Sequence, residues 1–258
     1  MSNSQKSLAD KLKGGKPVVT SWIMMSSPGI AEQIGRSGYE AVTLDLQHGQ
    51  MGLAEAREGI AALTLAGSHP IVRMGVGDLT NASRYLDLGA QAVIAPMINS
   101  ATDAKAFADA AKYPPVGERS WGPLRAAQLA GLAPNDYLAQ ANSETLAIAM
   151  IETRPALDEL DDILAVEGID GVFVGPSDLS LALSSGAELN PASPDTLEAA
   201  SRVVKAAKKA GKFAGIFCMT PGDVLAAKAQ GFVLMAYGID MVLVADSVRV
   251  ALDACGES

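Results

Sequence analysis

The sequence predicts an α/β fold, a single (β/α)8 barrel that takes in residues 1–258 as one domain. Three observations carry that prediction. Short apolar runs of strand length alternate with helix-spaced segments eight times along the chain, the alternation that builds a parallel sheet. The chain has 258 residues, 49% hydrophobic and 19% charged, which suits one barrel of the usual length of about 250 residues. No linker, low-complexity tract or charge run divides it. A doubly wound open sheet is the alternative, but such sheets usually stop at about five to seven strands.

Taken in order, residues 7–12 form a leading helix and residues 17–25 the first strand. Pro28 opens a helix at its first turn, where its missing N–H does no harm, and that helix closes near Gly38. Residues 40–46 are the second strand, Leu53–Ala66 its helix and 70–74 the third strand. The helix over 81–88 stops at Gly89, a natural C-terminal end. Strand four covers 91–96 and its helix 101–112. Residues 113–134 have weak periodicity, and an insertion of this length is more often functional than filler. A helix over 135–142 leads to strand five, Leu146–Ile151. Between 155 and 166 the apolar positions 157, 160, 163, 164 and 166 have helical spacing. Strand six is Gly171–Val174, followed by a helix to about Leu183, a proline-containing loop and a long helix over 195–210. Phe213–Phe217 is strand seven, 222–230 its helix, 232–237 strand eight and 241–255 the last helix.

Composition narrows the function. A net charge of −9 and the lack of a Lys/Arg stripe argue against nucleic acid and anionic membrane surfaces as partners. Cys218 and Cys255 lie far apart without CxxC spacing, so neither a disulfide framework nor a zinc knuckle is expected, and two reduced thiols suit the cytoplasm. Residues 1–16 contain no apolar run, and the apolar region 232–244 is broken by Gly238 and Asp240. Neither a signal peptide nor a membrane span is expected. No GxGxxG or GxxxxGK[ST] follows a strand.

Chemistry in a barrel collects at the C-terminal strand ends, and those ends are unusually polar. Strand two runs into Asp45, Gln47 and His48; strand three ends in Arg73; strand five is followed by Glu152; strand six by Gly175-Pro176-Ser177-Asp178. A strand–helix–strand unit sets Glu152 and Asp178 side by side on one rim. Two carboxylates leave most of an octahedral shell open to water and substrate oxygens, the usual arrangement for Mg²⁺ or Mn²⁺. Asp178 could instead serve only as an acid at a helix start. The backbone N–H groups of Ser177 and Asp178 open a helix and suit an anion. His48, next to Gly49 just past a strand, reads as a general base. His69 begins a strand at the opposite rim and reads as structural. Arg73 suits a carboxylate or a developing oxyanion, or else a structural pairing with Asp45 or Asp78. Asp87 is either a group that orients an imidazole or an exposed helix residue. No lysine stands at a strand end, as a Schiff-base mechanism would require.

Together, Leu-Asp-Leu-Gln-His-Gly, Val72-Arg73, Tyr-Pro-Pro-Val-Gly-Glu-Arg, Met-Ile-Glu-Thr and Gly-Ile-Asp-Gly-Val-Phe-Val-Gly-Pro-Ser-Asp-Leu-Ser resemble the HpcH/HpaI aldolase family over nearly the whole chain. The resemblance implies a TIM barrel and a metal-dependent pyruvate aldolase using Mg²⁺, Mn²⁺ or Co²⁺. It also implies a homo-oligomer, hexamer or trimer, with the C-terminal helix packed on or exchanged with a neighbour. In this sequence Glu152 and Asp178 would hold the metal, and Gly175, Pro176, Ser177 and Asp178 the 2-oxo acid. Arg73 would steady the enolate oxygen, and His48, helped by Asp87 and Asp45, would move the proton of the 4-hydroxyl. A decarboxylase or C–C lyase acting on oxaloacetate- or malyl-type substrates, and a non-catalytic 2-oxo-acid-binding barrel, are the alternatives. Two departures stand out: Met150 replaces a Gln of well-known members, and the segment after strand seven reads Phe217-Cys218-Met219. Phe217 and Met219, with Trp121, would suit a less polar aldehyde than a sugar derivative.

Overall fold

The computed structural model describes residues 6–256. In it eight parallel strands close into a barrel in sequence order. The strands are β1 (Val18–Ile23), β2 (Ala41–Asp45), β3 (His69–Arg73), β4 (Ala92–Ala95), β5 (Leu146–Ile151), β6 (Gly171–Val174), β7 (Phe213–Phe217) and β8 (Leu234–Ile239). The ring closes through β1 and β8, with Val18 opposite Leu234 and a register shift between Thr20 and Trp22.

Successive strand side chains point to opposite faces, and here both faces are buried, so the strands read as continuous apolar runs. Ile148 and Met150 point inward with Trp22, Ile71, Ile94, Phe173 and Leu234. Ala147, Ala149 and Ile151 point outward, among Val72, Val93, Val172, Leu63, Phe107 and Val203 of the layer between strands and helices.

The helices form the outer ring. Before and after the first strands come α1 (Leu8–Lys13), α2 (Pro28–Arg36), α3 (Leu53–Ala66), α4 (Leu79–Leu88) and α5 (Ala101–Ala111). Then follow α6 (Leu124–Ala130), α7 (Pro134–Glu144), α8 (Arg154–Asp158), α9 (Leu160–Ala165) and α10 (Pro176–Leu183). The last three are α11 (Pro194–Lys209), α12 (Pro221–Gln230) and α13 (Asp240–Ala254). Leu8 and Leu12 of α1 join the interior cluster, and buried Lys11 pairs with Glu40 at 2.5 Å and meets His69 Nε2 at 3.0 Å. His69 also bonds Gln91 through Nδ1. These contacts fasten the N-terminal rim, the structural role expected of His69.

Three local expectations change. The helix expected over 155–166 is two short ones, broken at Glu159, whose backbone leaves the helical region at ψ 15°. The irregular stretch 113–134 contains α6 and lies at the N-terminal rim, where Lys112 bonds the carbonyls of Asn142 and Thr145. Strand eight begins at Leu234 and ends at Ile239, which makes Asp240 the first residue of α13. Buried Asp240 accepts hydrogen bonds from the N–H groups of Met24 (3.0 Å) and Met25 (2.9 Å), locking the end of β1 to that of β8. Among the described residues no helix is long and apolar enough to cross a membrane.

Candidate active site

A cavity of about 240 Å³ opens where the C-terminal strand ends meet, slightly smaller than the roughly 300 Å³ at which ligand pockets usually begin. Asp45, His48, Arg73, Ser177 and Asp178 line it together with Trp22, Met24, Met150, Phe173, Phe217, Met219 and Ile239. Clefts elsewhere, such as the one of about 390 Å³ beside His69 and Tyr137, lie away from the C-terminal strand ends.

Glu152 adjoins this cavity and is 2% exposed. Its Oε1 accepts the N–H of Met97 at 2.8 Å. Its Oε2 receives no hydrogen bond from the described residues and faces Gly175, where an added Cβ would collide with it and approach Met150 Cε at 3.1 Å. Glycine at 175 is therefore required by close approach, not by backbone angle. Burial among these groups, with the nearby charge of Asp178, pushes the Glu152 carboxyl up to about 7 against the opposing pull of Met97 N–H and Arg73. A carboxylate in that state has an unmet demand for positive charge.

Asp178 supplies the second acid. It is exposed and stands in the first turn of α10, whose N-cap Gly175 makes no side-chain cap and whose Pro176 occupies the first turn. The N–H groups of Ser177 and Asp178 thus lack intrahelical partners and face a site already favourable to anions. Among the described residues no group of three or more His, Cys, Asp or Glu converges. Two oxygen donors with open positions fit a hard divalent ion, and they do not fit zinc in a closed structural site.

Arg73 meets Asp45 in a fork: Nε to Oδ1 at 2.9 Å and Nη2 to Oδ2 at 2.5 Å. Its guanidinium also lies over the Trp22 ring at 5.1 Å. Asp45 takes further hydrogen bonds from Trp22 Nε1 (3.0 Å) and from the backbone N–H groups of Gln47 and His48. Burial alone would raise the Asp45 carboxyl, but Arg73, Trp22 and His48 N–H outweigh it and hold it below the ordinary range. His48 is exposed and lines the cavity. No lysine does.

Asp45 lines the cavity, with its carboxylate engaged by Arg73, Trp22 and the backbone N–H groups of Gln47 and His48. Two sequence expectations need correcting. Asp87 lies in the last turn of α4, against the opposite rim, and pairs there with Arg119 at 2.6 Å, so within one chain it does not orient His48. Trp121 also lies away from the cavity, with its ring packed on Tyr113 (5.4 Å) and Tyr137 (6.4 Å). Trp22, Met24, Phe173 and Met97 are site residues that the sequence reading missed. Met97 holds a left-handed backbone at φ 55°, a conformation costing a non-glycine residue about 1–2 kcal/mol.

Comparison with known proteins places the chain among related sequences and folds. The family described as HpcH/HpaI aldolase/citrate lyase matches residues 19–247. A hydroxypyruvate/pyruvate aldolase of Rhizorhabdus wittichii is 37% identical over 235 residues, 91% of this chain and 92% of that protein. A 2-keto-3-deoxy-L-rhamnonate aldolase of Escherichia coli is 32% identical over 253 residues, 96% and 93% of the two chains. The crystal structure of an HpcH/HpaI aldolase/citrate lyase family protein from Burkholderia cenocepacia superposes with a TM-score of 0.87 at 28% identity, covering 96% of this chain and 98% of that one.

Proposed function

Because the chain belongs to the HpcH/HpaI aldolase/citrate lyase family, we propose that it is a carbon–carbon lyase. It cleaves a 4-hydroxy-2-oxo acid to pyruvate, or a related 2-oxo acid, and an aldehyde, and runs the same aldol chemistry in reverse. The observation that carries this reading is the convergence on one cavity of Arg73, His48 and the N-terminus of α10 with Asp178, and the buried Glu152, raised to about 7, against Gly175 of its lining.

Glu152 and Asp178 hold a divalent ion, Mg²⁺, Mn²⁺ or Co²⁺. When bound, such an ion supplies Lewis acidity to the oxygens of the 2-oxo acid. The chain's own residues do the rest. The N–H groups of Ser177 and Asp178, presented by Gly175 and Pro176, bind the carboxylate. Arg73, held by Asp45 and Trp22, turns its remaining donors to the negative charge that develops on the keto oxygen as the C3–C4 bond breaks. His48 takes the proton of the 4-hydroxyl and returns it in the synthetic direction. Met97 N–H keeps the Glu152 carboxylate in one rotamer.

The protein works on small molecules, in the cytoplasm, as a homo-oligomer. Two unpaired cysteines, buried Cys218 and exposed Cys255, support a reducing compartment. In α13, of which only Asp240 is buried, Met241, Val242, Val248, Val250 and Leu252 are exposed, and this apolar surface supports a neighbouring copy as its cover.

The test needs no knowledge of the aldehyde. EDTA-stripped protein is incubated with pyruvate in D₂O, Mg²⁺ or Mn²⁺ is added, and loss of the methyl proton signal is followed by NMR. Metal-dependent exchange that is lost in Glu152→Gln is the expected result. Exchange that persists in that variant would remove Glu152 from the site, and absence of exchange with every divalent ion would refute the pyruvate reading.

A further inference from the structure

We propose that Asp240 is a positioning residue for His48, acting through the peptide group that joins Met24 to Met25. This rests on the aldolase reading above and adds to the same site a residue outside the cavity lining.

Asp240 is 0% exposed, and its carboxylate is engaged by backbone. Oδ1 accepts the N–H of Met24 at 3.0 Å and of Met241 at 2.8 Å, and Oδ2 accepts the N–H of Met25 at 2.9 Å. The carbonyl of that same Met24–Met25 peptide accepts the N–H of Gln50 at 2.7 Å. One peptide plane is thus gripped at both ends, by a buried carboxylate on its N–H and by the loop of His48 on its C=O. A negative charge on the N–H side polarises the peptide and strengthens the bond its carbonyl makes.

Gln50 comes two residues after His48, and Gly49 between them leaves little slack. A Cβ at 49 would collide with the Asp45 carbonyl and lie 3.2 Å from that of Met24. At the start of the loop, the N–H groups of Gln47 and His48 meet Asp45 Oδ1 at 3.0 and 3.2 Å. His48 therefore stands between two anchors, and Asp240 sets the second. The seam between β1 and β8 has other fastenings: Ser21 Oγ donates to the Gly238 carbonyl at 2.6 Å, and Val18, Val19 and Thr20 pair with Leu234, Met235 and Ala236. A carboxylate buried at a seam already closed calls for a further reason, and its hold on the His48 loop supplies one.

The experiment uses the full chain with Mn²⁺ and three variants. Asp240→Asn keeps the shape but turns an NH₂ against one of the backbone N–H groups. Gln50→Pro removes the N–H at the far side of the relay, and the third variant combines the two. Cleavage of the pyruvate adducts of acetaldehyde, glycolaldehyde and benzaldehyde is followed by pyruvate release. Exchange of the pyruvate methyl protons in D₂O is followed in parallel, because it involves no 4-hydroxyl and does not call on His48. Each single variant should lower kcat for cleavage at least about tenfold while KM and exchange stay within about twofold. The double variant should fall no more than about twofold below the weaker single one, since both cut the same relay. Should Asp240→Asn fail to fold, Gln50→Pro, at an exposed position, carries the test alone. Cleavage unaltered in the folded variants, cleavage and exchange falling together, or losses that multiply in the double variant overturn the proposal and leave the aldolase reading standing. Wild type that cleaves none of the three adducts overturns the aldolase reading and the proposal with it.

Discussion

Replacing Glu152 by Gln should abolish catalysis and, at the same time, make the metal-free protein more stable. The folded state holds the Glu152 carboxyl at about 7, against an ordinary value of 4.5, because burial disfavours its charge. The direction follows from which state binds the proton more tightly. Below pH 4.5 the acid is neutral in both states and costs nothing. As pH rises the unfolded chain ionises first, so stability falls between the two values, and the full penalty is present above about 7. At about 1.36 kcal/mol for every pH unit between the two values, the penalty reaches roughly 3 kcal/mol at pH 8. Gln carries no charge, and its Oε1 can still accept the N–H of Met97.

The assay is denaturation of EDTA-treated wild type and Glu152→Gln at pH 8 and pH 5. The variant should gain roughly 3 kcal/mol at pH 8, about 6 °C in Tm for a chain of this size, and about 1 kcal/mol or less at pH 5. Saturating Mg²⁺ should raise the Tm of wild type, because it binds the folded state alone, and should leave the variant's Tm unmoved. A variant no more stable than wild type at pH 8, or equally stabilised at both pH values, would refute the claim that Glu152 is an unbalanced buried charge awaiting a cation.

Other outcomes follow from the same geometry. Gly175→Ala adds a methyl against Glu152 Oε2 without backbone strain, since φ is −95°. Pyruvate exchange should fall by about a hundredfold, the cost of an ångström-scale misplacement, and retention of activity would show that Glu152 tolerates displacement. Asp45→Ala leaves the Arg73 charge, 9% exposed at its side chain, without its partner; urea denaturation should show a loss of about 3–5 kcal/mol, and a loss under about 1 kcal/mol would make the pair a solvated one. Burial, with the charge of Asp223, pushes the Cys218 thiol up to about 12, so native protein at pH 8 should resist iodoacetamide at Cys218 and react there once unfolded in urea, as read by mass spectrometry.

What could be read from the sequence, and what could not, divides along physical lines. A barrel strand is buried on both faces, so an acid or arginine that interrupts the run at its C-terminal end must be satisfied by something in the barrel mouth; Asp45, Arg73 and Glu152 were legible for that reason. Trp22 and Phe173 were not, because an inward side chain at the top layer of a barrel has the same apolar character as one in the middle, and only the cavity tells floor from core. Met97 was invisible for another reason: its contribution is a backbone N–H aimed by a positive φ, and no side-chain pattern encodes that. Asp87 and Trp121 were misplaced although the rule that places them was available. The helix after a strand runs back along the barrel, so a residue in its last turn, or in the loop that follows it, comes to rest at the N-terminal rim. For Asp87 that direction decides the matter within one chain. Its carboxylate serves Arg119, at the rim opposite the cavity that His48 lines.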